Sequence, residues 1–415
     1  MQVLIRQAKI TDKNSAFNDK VVDILIEDGI IKDIAASLKV KADQTIEVDG
    51  LCASMGWVDV LADYREPGFE QKETIQSGLC AAAAGGFTHV MLVPNTNPVV
   101  STKSVVEFVQ SKAAGNVVSL HPLGAATQEA EGKNLAEMLD MHSTGAIAFT
   151  DGWKPVQNAQ LMLKALEYVK AFNGTIIQIP ADNSLAAGGL MHEGQESVRL
   201  GIAGIPSLAE TIILHRDIEL LRYTGSKLHI TGVSTAEGLE MIRKAKKEGL
   251  NITASVTPYH LVLNDTALEG YSSMYKVMPP LRSEAHRKAL VKGLKDGTID
   301  CVTSHHRPQD WDAKVKELEY AADGMNLQEA VFSIASQQVE AERVVEALTA
   351  ARAIFGLGAT NIEKGAVADL TLYTTSGTWT MNDMESASRN NPFMGKEMKG
   401  KVIGIINNKQ VHLNK

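Results

Sequence analysis

A chain of 415 residues, 44% apolar and 22% charged, can bury a large core and reads as one large domain or a large one with a small companion. Its formal net charge of −8 excludes a general binder of phosphate backbones or anionic membranes, because both need a basic face. No apolar run spans a bilayer, Met1 to Ile10 alternates like a strand, and Cys52, Cys80 and Cys301 lack any Cys-x-x-Cys spacing; a cytoplasmic protein with buried thiols and no disulfide is expected.

The first 55 residues hold three short alternating runs, Val3-Leu4-Ile5, Val21 to Ile26 and Thr45 to Val48, punctuated by Asp28-Gly29 and Asp49-Gly50 turns. From Trp57 the period changes. Eight β-branched runs follow, Trp57 to Leu61, Phe87 to Val93, Val117 to His121, Ala146 to Thr150, Thr175 to Ile179, Lys227 to Thr231, Asn251 to Ser255 and Ile299 to Thr303. Helical stretches separate them, among them Glu73 to Ala84, Thr235 to Glu248 and Glu284 to Lys295, and Asn326 to Ala341 follows the last. Strands alternating with helices predict a parallel sheet closed as a (β/α)8 TIM-like barrel. After Phe355 strands return, Ala368 to Tyr373 and Val402 to Ile406, then Gln410 to Leu413 beyond an Asn407-Asn408-Lys409 hairpin turn. The predicted fold is therefore α/β: a barrel over 56–355 and a small flanking β-sandwich built from both chain termini, 1–55 plus 356–415.

Barrel chemistry belongs at the C-terminal ends of the strands. Those ends carry Pro94-Asn95-Thr96, Asp151-Gly152-Trp153, Ile179-Pro180-Ala181-Asp182, Gly232-Val233-Ser234, Thr257-Pro258-Tyr259-His260 and Ser304-His305-His306. A hydrolytic metal centre needs several imidazole and carboxylate groups converging on one point, and this set supplies too few. His305 and His306 are adjacent on a strand and point to opposite faces, so one ion cannot take both. His260 and His229 read as hydrogen-bonded barrel histidines. Asp63 and Asp151 form a candidate carboxylate pair, with structural hydrogen bonding as the simpler role. The glycines at Gly188-Gly189 and Gly201 to Gly204 belong to loops and form no phosphate cradle.

The stretch Gly56 to Glu70, with its Arg65-Glu66-Pro67-Gly68, resembles the opening signature of the dihydroorotases. Pro94-Asn95-Thr96, Gly204-Ile205-Pro206-Ser207, Pro279-Pro280-Leu281-Arg282, Ala368-Asp369-Leu370 and Asn391-Pro392-Phe393 continue that pattern in order. The resemblance implies the dihydroorotase branch of the amidohydrolase superfamily, zinc-dependent barrels with a flanking β-sandwich. The family's His-x-His reads Leu61 and Asp63; its second carboxylate after strand four reads Gly152; its later histidines read Ile179 and Gly232. Its strand-eight aspartate, metal ligand and general base, reads Ser304, while Ser255, Tyr259 and Met278 replace a usual Glu, His and Asn. These six vacated ligand positions, Leu61, Asp63, Gly152, Ile179, Gly232 and Ser304, predict that no metal is bound and no catalytic residue survives.

Arg65 and Asn95 match the residues that hold the substrate carboxylate in the family, and here either retain a vestigial binding role or brace the strand–loop junctions. Asp63, Asp151, His260 and His305 are the candidate residual polar site. The resemblance implies a catalytically dead homologue serving as a structural or regulatory partner of aspartate transcarbamoylase, as metal-depleted members of this family do. The alternatives are an active cyclic amidohydrolase with an unusual metal arrangement and a non-catalytic sensor of a pyrimidine precursor. A homo-oligomer is expected on family grounds, with neither nucleic acid nor membrane as partner.

Overall fold

The computed structural model describes residues 1–358 and 361–414. Its centre is a closed ring of parallel strands. Trp57–Ala62, Phe87–Leu92 and Ser119–Pro122 pair in order, as do Ile176–Gln178, Leu228–Thr231, Ile252–Val256 and Cys301–Val302. Two narrow junctions join these groups. On one side Phe149 bridges Gly124 and Ile176; on the other His306 bridges Ala62. The eight predicted strand positions are therefore all present, with the fourth reduced to the bridge at Phe149. Buried on both faces, the strands read as apolar runs without alternation, as in parallel barrels.

The helices begin where local chemistry starts them. Thr74 caps Ile75–Ala84 by accepting from the Ser77 N–H, while the Ser77 side chain accepts from the Thr74 N–H. Thr235 caps Ala236–Lys247 by accepting from the Gly238 N–H. The continuous helix predicted over Asn326–Ala341 is not formed. A 3₁₀ turn at Gln328–Ala330, a short helix Val331–Ala335 and a separate helix Ala341–Thr349 replace it. The cause is the pull of two buried amides: Gln328 bonds Asp59 and Tyr64, and Asn326 bonds Ser386 and the Ser388 carbonyl. Tertiary bonding overrides the helical period there.

Both chain ends build the flanking unit. It is one continuous eight-stranded sheet, ordered from Gln410–Leu413 through Glu397–Asn407, Leu370–Thr380, Leu51–Met55, Gln2–Ile10 and Val21–Glu27 to Ile30–Ala35, with Gln44–Ile46 paired to Gln2–Ile10. The sheet curls on itself, because its edge strand returns to the other half through Ile31 N–H to the Ala366 carbonyl and a bridge from Ile30 to Val367. Its own core includes Val3, Ile24, Ile34, Ile46, Leu370 and Ile406. Positive φ at Asp28 and Gly29, and at Asn408 and Lys409, produces the tight hairpin turns that match strand twist. Residues 381–396 leave this sheet to pack Met381, Met384 and Phe393 against Tyr259, Leu281 and Met325 of the barrel. Among the described residues no helix is long and apolar enough to cross a membrane.

Candidate functional site

At the C-terminal mouth of the barrel, Leu61 and Ile179 are buried in one apolar cluster with Val60, Met91, Leu123 and Ala148. Two positions where the family resemblance puts imidazole ligands are therefore part of the packed core. The backbone there is tied across the closing seam, Leu61 N–H to Thr303 Oγ1 at 3.1 Å and Asp63 N–H to the His306 carbonyl at 2.9 Å.

Asp63 is fully buried and saturated. Its carboxylate accepts from the Arg65 N–H at 3.0 Å and from Trp153 Nε1 at 2.8 Å, and it pairs with the Arg65 guanidinium at 3.1 Å. Arg65 sits at φ 61 and also donates Nε to the Pro308 carbonyl at 3.2 Å. Asn95 braces the neighbouring loop: its Nδ2 donates to the Asp151 carbonyl at 3.0 Å and its Oδ1 accepts from the Trp153 N–H at 2.9 Å. Gly152, at φ 58, brings its backbone against Asn95, where a Cβ would lie 1.9 Å from Oδ1. Arg65 and Asn95 thus hold the strand–loop junctions through bonds to the protein.

The second carboxylate, Asp151, looks elsewhere. It accepts from the Thr127 N–H at 2.9 Å and the Thr127 hydroxyl at 2.5 Å, and burial pushes its pKa up. Asp63 and Asp151 share no hydrogen-bond partner atom; the link between them runs through Trp153 and Asn95. Ser304, at the general-base position, serves a group that sequence reading overlooks. Its hydroxyl donates to Asp59 at 2.5 Å and its N–H does so at 2.9 Å, while Thr303 and Gln328 complete the shell at 2.9 and 2.7 Å. Asp59 is fully buried, and desolvation raises its pKa against those four donors. The signal available in the sequence was a lone aspartate inside the apolar run Trp57 to Ala62.

The histidines are separate structural groups. His305, at φ 45, bonds Thr231 Oγ1 at 2.8 Å, meets Trp153 edge-on at 5.4 Å and packs against Gly232, where a Cβ would fall 2.6 Å from its ring. His306 turns away towards Tyr64 and Glu73. His260 is bonded to Thr257 and the Pro280 carbonyl, and His229 to Thr253 and Ser255. Burial pushes His305 and His229 down to about 3 and His260 to about 4, so all three are neutral at pH 7. Zinc does not fit this set of residues. Leu61, Ile179 and Gly232 offer no donor, Ser304 and Asp63 are spent on protein bonds, and among the described residues no three His, Cys, Asp or Glu groups converge to hold a metal ion.

A closed eight-strand parallel barrel with a flanking sheet from both chain ends, its polar groups gathered at the C-terminal mouth, defines an amidohydrolase-type barrel protein. The solved structures agree. The L-hydantoinase (dihydropyrimidinase) of Arthrobacter aurescens superposes with a TM-score of 0.86 over 100% of this chain and 96% of that one, at 21% identity. The D-hydantoinase (dihydropyrimidinase) of a Thermus species gives 0.83 over 99% and 95%, also at 21% identity. A family model described as Dihydro-orotase-like matches residues 51–238. The chain is 38% identical to the dihydroorotase of Syntrophus aciditrophicus, covering 97% of each, and 36% identical to that of Solibacter usitatus, covering 98% of this chain and 97% of the relative. This chain belongs to the dihydroorotase family.

Proposed function

We propose that this chain is a non-hydrolytic member of the dihydroorotase family that acts in pyrimidine biosynthesis as a structural or regulatory partner of aspartate transcarbamoylase. The observation that carries the loss of hydrolysis is the merging of Leu61 and Ile179 into the apolar core of the mouth. A water there has no ion to polarise it, because no donor set among the described residues holds one, and Ser304 cannot take its proton while donating to buried Asp59. The active alternative, built on Asp63 and Asp151, is disfavoured because each carboxylate is already bonded within the protein. The partner role draws its support from family membership over nearly the whole length together with an intact, well-packed scaffold.

The test assays purified protein with excess Zn²⁺ for dihydroorotate hydrolysis and for cyclisation of N-carbamoyl-L-aspartate, then measures co-purification with aspartate transcarbamoylase from the same source. The expected result is no turnover above buffer and a stable complex. Chelator-sensitive turnover refutes the first half of the reading; failure to associate refutes the second.

A further inference from the structure

Two neighbouring barrel strands carry polar side chains where a parallel barrel ordinarily stacks branched apolar ones. His229 and Thr231 alternate along Leu228–Thr231, Thr253 and Ser255 alternate along Ile252–Val256, and the register sets His229 opposite Thr253 and Thr231 opposite Ser255. All four therefore share one face of the sheet. Leu228, Ile230, Ile252 and Ala254 pack the other face into the helical layer, which leaves the polar four to the barrel interior.

They form one unbroken chain of hydrogen bonds. His229 Nδ1 lies 2.8 Å from Thr253 Oγ1 and its Nε2 3.0 Å from Ser255 Oγ, Ser255 Oγ donates to Thr231 Oγ1 at 2.9 Å, and Thr231 Oγ1 lies 2.8 Å from His305 Nε2. Half-buried Thr253 lines a cleft of about 350 Å³ with Thr175, Lys227 and Asn251, at the N-terminal end of the barrel. The other four members are buried, and the chain ends at the mouth with His305 against Trp153.

Proton counting fixes the direction of these bonds. Ser255 gives its one hydroxyl proton to Thr231, so it accepts from His229, whose proton is on Nε2. The Nδ1 of that neutral ring then accepts from the Thr253 hydroxyl. Thr231 has no acceptor other than His305 Nε2 among the described residues, so His305 keeps its proton on Nδ1, a buried nitrogen without a hydrogen-bond partner. Bonds in such a chain polarise one another.

We propose that this column is a directional hydrogen-bond relay through which the N-terminal cleft sets the tautomer that His305 presents at the mouth. An acceptor in the cleft that takes the Thr253 hydroxyl bond favours the opposite direction. His229 then carries Nδ1–H, Ser255 donates to His229, Thr231 donates to Ser255, and His305 carries Nε2–H with Nδ1 a bare acceptor. The reversal balances: one proton moves along each link towards His305, Thr253 is replenished by one from the cleft, and His305 releases the one on Nδ1. Ser255, the central link, stands where the family resemblance has a glutamate, so the relay belongs to this chain's own residues. It depends neither on the loss of hydrolysis nor on a protein partner.

Nitrogen-15 spectra of the full chain labelled at histidine read ring tautomers directly, with His229 and His305 assigned by the signals lost in His229→Gln and His305→Gln. At pH 7 the wild-type chain should show Nε2–H at His229 and Nδ1–H at His305. In Ser255→Ala, His229 should shift to Nδ1–H, donating to Thr253, and His305, which shares no bond with Ser255, should gain the Nε2–H form because Thr231 Oγ1 is free to accept. Circular dichroism checks folding. If Ser255→Ala does not fold, Thr231→Val, equal in shape, is read at His229, with which Thr231 shares no bond: Ser255 then turns its proton to Nε2 and the ring should carry Nδ1–H. Either ring in the opposite tautomer in the wild-type chain, or an unchanged remote ring in the folded variant, would overturn the relay.

Discussion

Acid should destabilise this protein from about pH 6.5 downward, before ordinary carboxylates titrate. Burial pushes His121, His229 and His305 down to about 3 and His192 and His260 to about 4. For a base with a depressed folded pKa, stability is complete above the unfolded value of about 6.5 and is lost as the pH falls towards the folded value. At pH 5.5 an unfolded histidine is about nine-tenths protonated, so these five groups make the unfolded state bind about 4.5 extra protons, a slope of about 6 kcal/mol per pH unit. Buried acids oppose this. Asp217 is pushed up to about 6 by desolvation and keeps most of a proton at pH 5.5, and Asp59 and Asp151 are raised for the same reason and act in the same direction. Returning about one proton for Asp217 leaves a slope of about 5 kcal/mol per pH unit, which Asp59 and Asp151 lower further. Against a total stability of about 5 kcal/mol, that puts the unfolding midpoint near pH 5.5 at the highest, and a larger stability or stronger opposition from the acids moves it lower. Urea melts followed by circular dichroism at matched ionic strength between pH 8 and 5 measure the slope directly. A change below about 1 kcal/mol between pH 7 and 5 would refute the reasoning, since it would mean that these rings take up protons in the folded state.

Ser304→Asp sets a second carboxylate against Asp59 and should cost about 3 kcal/mol or more in a urea melt, without restoring hydrolysis in the presence of Zn²⁺. Arg65→Ala leaves Asp63 buried and half-partnered; a loss of about 3–5 kcal/mol is expected by the same melt. Gly232→Ala, at φ 71 with its new Cβ 2.6 Å from the His305 ring, should lower stability by about 1–3 kcal/mol, read as a fall in Tm.

Much of the architecture was legible because barrel strands are short apolar runs separated by helix-length stretches such as Glu73 to Ala84 and Thr235 to Glu248; the caps at Thr74 and Thr235 are seen in the fold. Ala146 to Thr150 read as a full strand because its residues are apolar, yet only Phe149 makes bridges to its neighbours. Asn326 to Ala341 read as one helix because periodicity cannot weigh the long-range bonds from Gln328 to Asp59. The sequence read the site as a set of replaced ligand positions on the strength of the family resemblance. The bonds that those positions make in the fold were not legible. The four-donor shell around Asp59 and the position of Trp153, at once bonded to Asp63 and stacked by Arg307, arise from residues that are 90 and 154 positions from Trp153 or, for Ser304 and Asp59, 245 positions apart. No local pattern encodes contacts of that range.

The curled sheet also sets a schedule for synthesis. Its strands Gln2–Ile10 and Leu51–Met55 leave the ribosome first, but the strand Leu370–Thr380 that pairs with Leu51–Met55, and Ala366, which receives the N–H of Ile31, come more than three hundred residues later. At about 5–20 residues per second that is an interval of roughly 15 to 65 seconds. Throughout it an apolar β-unit waits with an unpaired edge, the kind of template that recruits other chains. Folding yield in the cell should therefore depend on holding the beginning of this protein apart from its neighbours until its end has been made.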